Sequence, residues 1–268
     1  MSGLPSPMQP SLRLIDTHTH LHLIPFDTDG AAVLARAAAA GVQHMIEIGY
    51  DLPSSRTALA LAAAHVPISA VVGIQPNHVH ELPSDWQAQL YDLLRQPNVV
   101  ALGEIGLDYH WMKAPPEQQA AIFREQLAMA RELDLPVVIH CREAAADTLA
   151  VLRADGQGVR GVMHSFSGDW AFAEACLELG FLLSFSGPIT FPKAKDLHTV
   201  VQRVPATALL AETDTPYLTP HPHRGERNEP AYVRYVVERI AALRGETAEA
   251  VSEQIWRNAQ TIFRPVHT

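Results

Sequence analysis

Asp16-Thr17-His18-Thr19-His20-Leu21-His22 is the stretch from which the rest of the chain can be read. It follows a short apolar run, residues 12–15, that reads as a buried strand reaching its end. Side chains two apart on a strand share a face, so Asp16, His18 and His20 project together. Taken alone, this pattern leaves two readings open: half of a metal site, or a hydrogen-bonded polar cluster. The ends of the later strands decide between them.

Outward from that stretch, strand-type and helix-type segments alternate. Apolar runs predict strands at 44–48, 68–73, 99–103, 136–139, 160–163, 181–185 and 207–211. Between them, helical patterns fall at 29–40, 53–65, 85–94, 117–133, 143–153, 169–179 and 195–204, and two more close the chain at 231–243 and 247–262. Gly41 reads as the stop of the first helix, and Pro53 sits in the first turn of the second. Eight strands with a helix after each is the count of a closed (β/α)8 TIM barrel. The rival, a doubly wound open sheet, would place a Gly-rich phosphate turn after the first strand, where histidines stand instead. The expectation is one α/β barrel domain over 12–268, preceded by a flexible tail at 1–11.

Barrels of this kind carry their chemistry at the C-terminal ends of the strands. Those ends offer His18 and His20 on the first, Glu104 on the fourth, His140 on the fifth, His164 on the sixth and Asp214 on the eighth. Each residue singly has a bland reading, a hydrogen-bonded imidazole or a solvated loop carboxylate. Six of them at corresponding ends of one barrel are hard to ascribe to independent structural roles. Four imidazoles and two carboxylates suit two divalent cations, with Zn²⁺ or Mn²⁺ favoured and Mg²⁺ compatible if it keeps waters. Such a pair, about 3.5–4 Å apart, activates an attacking water and polarises a phosphoryl or carbonyl oxygen. Glu104, on a middle strand, is the natural bridge between the two cations. Asp214 is placed to bind one of them and to orient or deprotonate the water, so Glu104 and Asp214 are the catalytic candidates. Asp16 and Glu212 read as supporting partners of the ligands.

Composition narrows the partners. The 268 residues are 47% hydrophobic and 18% charged, ordinary for a soluble globular protein. No run of about 18 apolar residues occurs, so no membrane partner is expected. Residues 1–11 lack a basic region followed by an apolar one and read as a frayed tail, not an export signal. Two cysteines in a chain this long make no disulfide framework and suit a reducing cytoplasm. A net charge of −9 with no Lys/Arg-dense stretch argues against wrapping duplex DNA. A nucleic-acid contact on such a chain should be short, a DNA end or a short single strand, with a shallow dependence on salt.

Several segments together resemble the TatD family. They are Asp16-Thr17-His18-Thr19-His20-Leu21, Gly103-Glu104-Ile105-Gly106-Leu107-Asp108-Tyr109, Pro136-Val137-Val138-Ile139-His140-Cys141-Arg142, His164-Ser165-Phe166-Ser167-Gly168 and Glu212-Thr213-Asp214-Thr215-Pro216-Tyr217-Leu218. The run Pro222-His223-Arg224-Gly225-Glu226-Arg227-Asn228-Glu229-Pro230 belongs to the same resemblance, which covers residues 12–263. It implies a TIM-barrel metal-dependent hydrolase of the amidohydrolase superfamily, commonly a deoxyribonuclease and often a 3′–5′ exonuclease. Carried over residue by residue, it implies His18, His20, Glu104, His140, His164 and Asp214 as the metal ligands, the set reached above from strand ends. Two departures stand out. Where the family usually has Gly-Ile-His-Pro-His, this chain has Gly73-Ile74-Gln75-Pro76-Asn77, and amides cannot carry a proton at neutral pH. His78 and His80 follow closely and could substitute if the loop shifts. His22 stands where an acidic or amide residue is common and reads as a loop group, not a ligand.

For substrate contact, Arg224 and Arg227 in the Pro-rich loop after the eighth strand offer forks suited to phosphate, or else clamp that loop onto nearby carboxylates. Ser165 and Ser167 beside His164 can donate to a phosphate oxygen or cap a turn. Tyr109, with His110 and Trp111, follows Glu104 and can stack an unpaired base or cover the rim. The leading expectation is therefore a divalent-metal phosphodiesterase trimming DNA from an end, as a monomer. The same chemistry on an acyl ester or amide, such as a mis-acylated tRNA or a small lactone, is the alternative. A non-catalytic metal-binding scaffold is the third reading.

Overall fold

A computed structural model describes residues 12–264; the expected tail at 1–11 and residues 265–268 lie outside them. Eight strands run in chain order: β1 (Leu14–Thr19), β2 (Val42–Ile48), β3 (Ile68–Val72), β4 (Val99–Asp108), β5 (Val137–Arg142), β6 (Gly161–Met163), β7 (Phe181–Phe185) and β8 (Leu209–Ala211). Neighbours in sequence are neighbours in space, and every pairing is parallel. The ring closes between β1 and the residues after β8. Asp214 N donates to His18 O at 3.0 Å, His20 N donates to Thr215 O at 3.0 Å, and Thr19 bridges Thr215 in parallel. These contacts close the ring at the upper end of the seam between its first and last strands. The (β/α)8 barrel expected from the alternation is the fold.

The strands are near-continuous apolar runs because a parallel barrel is covered on both faces. β3 is buried throughout, as is β4 over all ten of its residues. Outside lie α1 (Gly30–Ala39), α2 (Leu52–Ala64), α3 (Trp86–Leu94), α4 (Pro116–Glu132), α5 (Ala145–Asp155), α6 (Trp170–Glu178), α7 (Lys195–Arg203), α8 (Val233–Arg244) and α9 (Ala248–Phe263). Their ends carry the expected chemistry. Asp51 and Ser54 make a reciprocal capping box on α2, Asp169 caps α6, and Thr247 caps α9. Gly41 takes φ +96° just past α1, a conformation an L side chain rarely adopts.

Two strands differ from the sequence expectation in ways that matter for the site. β1 runs past the apolar stretch at 12–15 through Thr19, so His18 lies on the strand itself, as its shared face with Asp16 requires. β4 does not stop at 103 but continues to Asp108, pairing Gly106 with His140 and Asp108 with Arg142 on β5. Gly106 permits this approach, because a Cβ there would lie 2.0 Å from the His140 carbonyl oxygen. Two buried glutamines on the inner face of α4 pin the loops above. Gln126 makes both of its amide hydrogen bonds to Ile74, and Gln119 bonds the backbone of Asp108 and Ala114. Among the described residues no helix is long and apolar enough to cross a membrane.

Candidate active site

The first strand delivers its histidines as the period of two requires. Asp16, His18 and His20 are all buried at the barrel's C-terminal mouth. Asp16 accepts from Thr213 N at 2.9 Å, Thr213 Oγ1 at 2.5 Å and His18 N at 3.3 Å, so it ties β1 to the segment carrying Asp214. Its supporting role is as expected from sequence. His18 Nε2 and His20 Nε2 approach to 3.2 Å, and each lies 3.7 Å from Asp214 Oδ1.

Glu104 reaches the centre because β4 is irregular there. Gly103 pairs with Val138 and Ile105 with Ile139, leaving Glu104 as an extra residue against β5. Such a bulge re-aims a side chain that simple alternation would send elsewhere. Glu104 Oε1 stands 2.6 Å from His140 Nδ1 and 3.1 Å from His164 Nε2, while Oε2 is 3.8 Å from His18 Nε2. His164 Nε2 and His140 Nδ1 are 3.4 Å apart, and the His18 and His164 rings stack at 4.0 Å. Six residues from five strand ends thus form one cluster, with Glu104 in contact with both halves. Two residues at these ends hold left-handed backbone conformations, Ser165 at φ +41° and Asp214 at φ +58°. Non-glycine residues rarely stay there unless their surroundings hold them. Here Asp214 N is bonded to His18 O, and Ser165 N to Glu212 Oε1 at 2.8 Å.

The electrostatics divide the cluster in two. Burial works to raise the Glu104 carboxyl, but the His164 and His140 imidazoles outweigh it and hold it well below the usual range. Burial likewise opposes charge on His140 and His164. Glu104 overrides it in both, helped by Asp108 for His140 and by Glu212 for His164, so these two imidazoles titrate above their ordinary value. On the other side burial dominates. It lowers His20, and it lowers His18 strongly with His164 and His20 adding to it. Burial also pushes the Asp214 carboxyl up to about 7, with Glu212 and Glu104 adding to it and His164 opposing.

The donor set fits divalent cations on the evidence of its outer partners. His20 Nδ1 lies 3.0 Å from the Ile48 carbonyl, His140 Nε2 lies 3.0 Å from Asp108 Oδ2, and His164 Nδ1 lies 3.2 Å from Glu212 Oε1. Each acceptor draws a proton to the outer nitrogen and turns the inner lone pair toward the centre, the arrangement metal-bound imidazoles use. Facing nitrogens at 3.2 and 3.4 Å need a proton or a cation between them. Two triads have donor atoms within 4.8 Å of one another, His18–Glu104–His164 and His18–His20–Asp214. Asp108 had no role in the sequence reading, although it is the best-connected partner here. It also accepts from His110 N, Trp111 N and Asn77 Nδ2. Burial raises its carboxyl, but His140 first, with the Trp111 and Asn77 bonds, holds it down at about 2. Asp108→Asn should weaken metal affinity or activity by roughly 10–100-fold. Metal titration of the apoprotein checks this, and an unchanged affinity would show that the charge of the acceptor on His140 does not matter.

The expected substrate contacts fare differently: three have their polar groups engaged by other residues. Arg227 forms a bidentate pair with Asp29 at 2.7 and 2.8 Å, with its guanidinium over Phe26. It therefore clamps a loop, with a partner not foreseen. Tyr109 turns its hydroxyl to Asp147 at 2.7 Å, away from the mouth. Ser165 is occupied by Glu212 and by Ser186 Oγ at 2.8 Å. Arg224 is exposed over Phe191, and Ser167 is exposed; neither lines the cavity above the cluster. That cavity, about 440 Å³, is lined instead by Tyr50, Gln75, His78, Trp111, Lys113 and Tyr217 beside the cluster. Gln75 accepts from Asn77 N, and Asn77 donates to Asp108, so the two amides brace the rim. A 3-10 turn, Pro76–Glu81, carries His78 to the cavity, whereas His80 lies against exposed Glu81. His22 is bonded to buried Glu47 at 2.6 Å and serves its loop, as expected. Tyr50 and Lys113 carry no sequence motif that would have singled them out.

Comparison with known proteins agrees with this geometry. A family model for TatD-related DNases matches residues 15–264. The Bacillus subtilis uncharacterized metal-dependent hydrolase YabD is 42% identical over 252 residues, covering 94% of this chain and 99% of that protein. The 3′-5′ ssDNA/RNA exonuclease TatD of Klebsiella pneumoniae is 34% identical, covering 93% and 97%. Among solved structures, the Escherichia coli TatD homolog YJJV superposes with a TM-score of 0.90 at 33% identity, covering 94% and 98%. Fold, rim and likeness define the class, a metal-dependent hydrolase on a (β/α)8 barrel. Within that class, the chain belongs to the TatD-related DNase family.

Proposed function

We propose that this protein hydrolyses phosphodiester bonds of DNA at a strand end, as a 3′–5′ exonuclease. Two divalent cations would be held by His18, His20, Glu104, His140, His164 and Asp214. When bound, such a pair makes water a competent nucleophile near neutral pH and offsets the charge that gathers on the phosphoryl oxygens. The chain's own residues do the rest. Glu104 holds the two halves of the cluster in register through its two oxygens. Asp214, at the cavity wall, orients the attacking water and takes its proton. Asp108, Glu212 and the Ile48 carbonyl keep the three imidazole lone pairs pointing inward.

The observation that carries this reading is that the two triads share buried His18 and that the other five residues of the cluster line one solvent-open cavity. The exonuclease names of relatives such as the Klebsiella pneumoniae protein support the phosphodiester over other bonds. Cleavage of end-labelled single-stranded DNA should fall below detection after chelation and return on adding Zn²⁺, Mn²⁺ or Mg²⁺. A panel containing single strand, duplex and an acyl ester assigns the bond. Turnover of the ester alone would replace the nuclease reading, and no turnover with any metal would remove it.

A further inference from the structure

The cavity carries groups that the ligand cluster does not use. Lys113 lines it, and among the described residues its ammonium has no ion pair or hydrogen bond. The only carboxylates lining the cavity, Glu104 and Asp214, belong to the cation set. Lys193 and Lys195 are also without such partners among the described residues; what sets Lys113 apart is that it alone of the three lines this cavity. Gln75 and half-buried His78 share the wall; His78 Nδ1 makes no hydrogen bond but faces Asp51 at 3.8 Å and Glu81 at 3.9 Å, which leaves Nε2 as its free nitrogen. Lys113 is close enough to act on His78. Burial lowers that imidazole, Asp51 opposes, and Lys113 adds to the lowering.

The mouth is also flanked by large exposed side chains. Trp111 is 59% and Tyr217 is 56% exposed. Trp111 follows β4 and Tyr217 follows β8, which are diametrically opposite in an eight-membered ring. Both line the same cavity, and exposed apolar surface gathered at one place marks a binding site better than scattered residues do. Rings stack on the faces of bases regardless of sequence, and a base must leave its duplex to present both faces.

We propose that Lys113, with the Gln75 amide and His78, binds a phosphate of the substrate other than the one attacked, while Trp111 and Tyr217 stack its bases. The strand end that enters is therefore unpaired. This rests on the phosphodiesterase reading above. Lysine suits the task as a mobile point charge, where the expected arginines are turned away.

The test pairs a residue with a phosphate. The substrates are a single-stranded trinucleotide and the same trinucleotide with an uncharged methylphosphonate at the linkage next to the scissile one. On the metal-loaded wild type, the neutral linkage should lower kcat/KM about tenfold. In Lys113→Met the normal trinucleotide should lose a similar factor, and the neutral linkage should cost nothing more. Losses that multiply, or a substitution without effect, overturn the assignment. Binding supplies a second readout. Trp86 and Trp256 are buried, and half-buried Trp170 lies beneath Arg203 and does not line the cavity, so quenching of tryptophan emission by the trinucleotide should report Trp111 and vanish in Trp111→Phe. Quenching that survives there overturns the stacking. If the wild type cleaves no oligonucleotide, the phosphodiesterase reading fails by itself. The subsite is then judged on quenching, which must occur in wild type and weaken at least fivefold in Lys113→Met.

Discussion

Glu104→Gln should lower hydrolysis roughly a thousandfold, equivalent to about 4 kcal/mol of lost transition-state stabilisation. The size follows from position. Glu104 is 5% exposed and touches His140, His164 and His18, so one substitution disturbs both halves of the cluster. Glutamine keeps the volume, which spares the barrel, but it removes the charge that holds His140 and His164 above their ordinary range. Metal content should fall together with rate. Measuring kcat/KM beside metal stoichiometry separates the causes. Full metal with less than a tenfold loss would show that the carboxylate does not join the two halves.

The second large effect belongs to Asp214→Asn. A positioned proton acceptor contributes roughly 10²–10⁴-fold, and the loss should fall in that range. Unlike the first variant, this one leaves Glu104, His140 and His164 in their mutual contacts at 2.6–3.4 Å. At least half of the bound metal should therefore survive. Asparagine also tolerates the left-handed backbone that Asp214 adopts at φ +58°, so the substitution tests charge and not strain. Loss of all metal with the rate would recast Asp214 as a pure ligand; an undiminished rate would assign the proton to another base.

These two residues show how far sequence reading carries and where it stops. Both were found from one-dimensional pattern, as polar residues immediately after apolar runs, and so were the four histidines. That logic works because a parallel strand is buried until its end, and the end is where chemistry can face solvent. For Tyr109, Ser165 and Arg227 the chain left two roles open, and their contacts favour the structural one. Their side chains have several possible partners, and the choice depends on which loop lies beside them. Arg227 meets Asp29, nearly two hundred positions away in the chain, and nothing local announces that pairing. Asp108 and Lys113 were overlooked for the converse reason: their surroundings, not their spacing, make them informative.

From the chain alone came the barrel, the order of its strands and the six polar residues at its mouth, because hydrophobic period and strand count are local properties that burial enforces. Only the tertiary structure decided that β4 bulges at Glu104, which imidazole nitrogen faces inward, and that a lysine, not an arginine, lines the cavity. Those outcomes depend on register, hydrogen-bond partners and loop packing between segments remote in sequence, where several arrangements satisfy the same local pattern and only closure of the whole ring selects one.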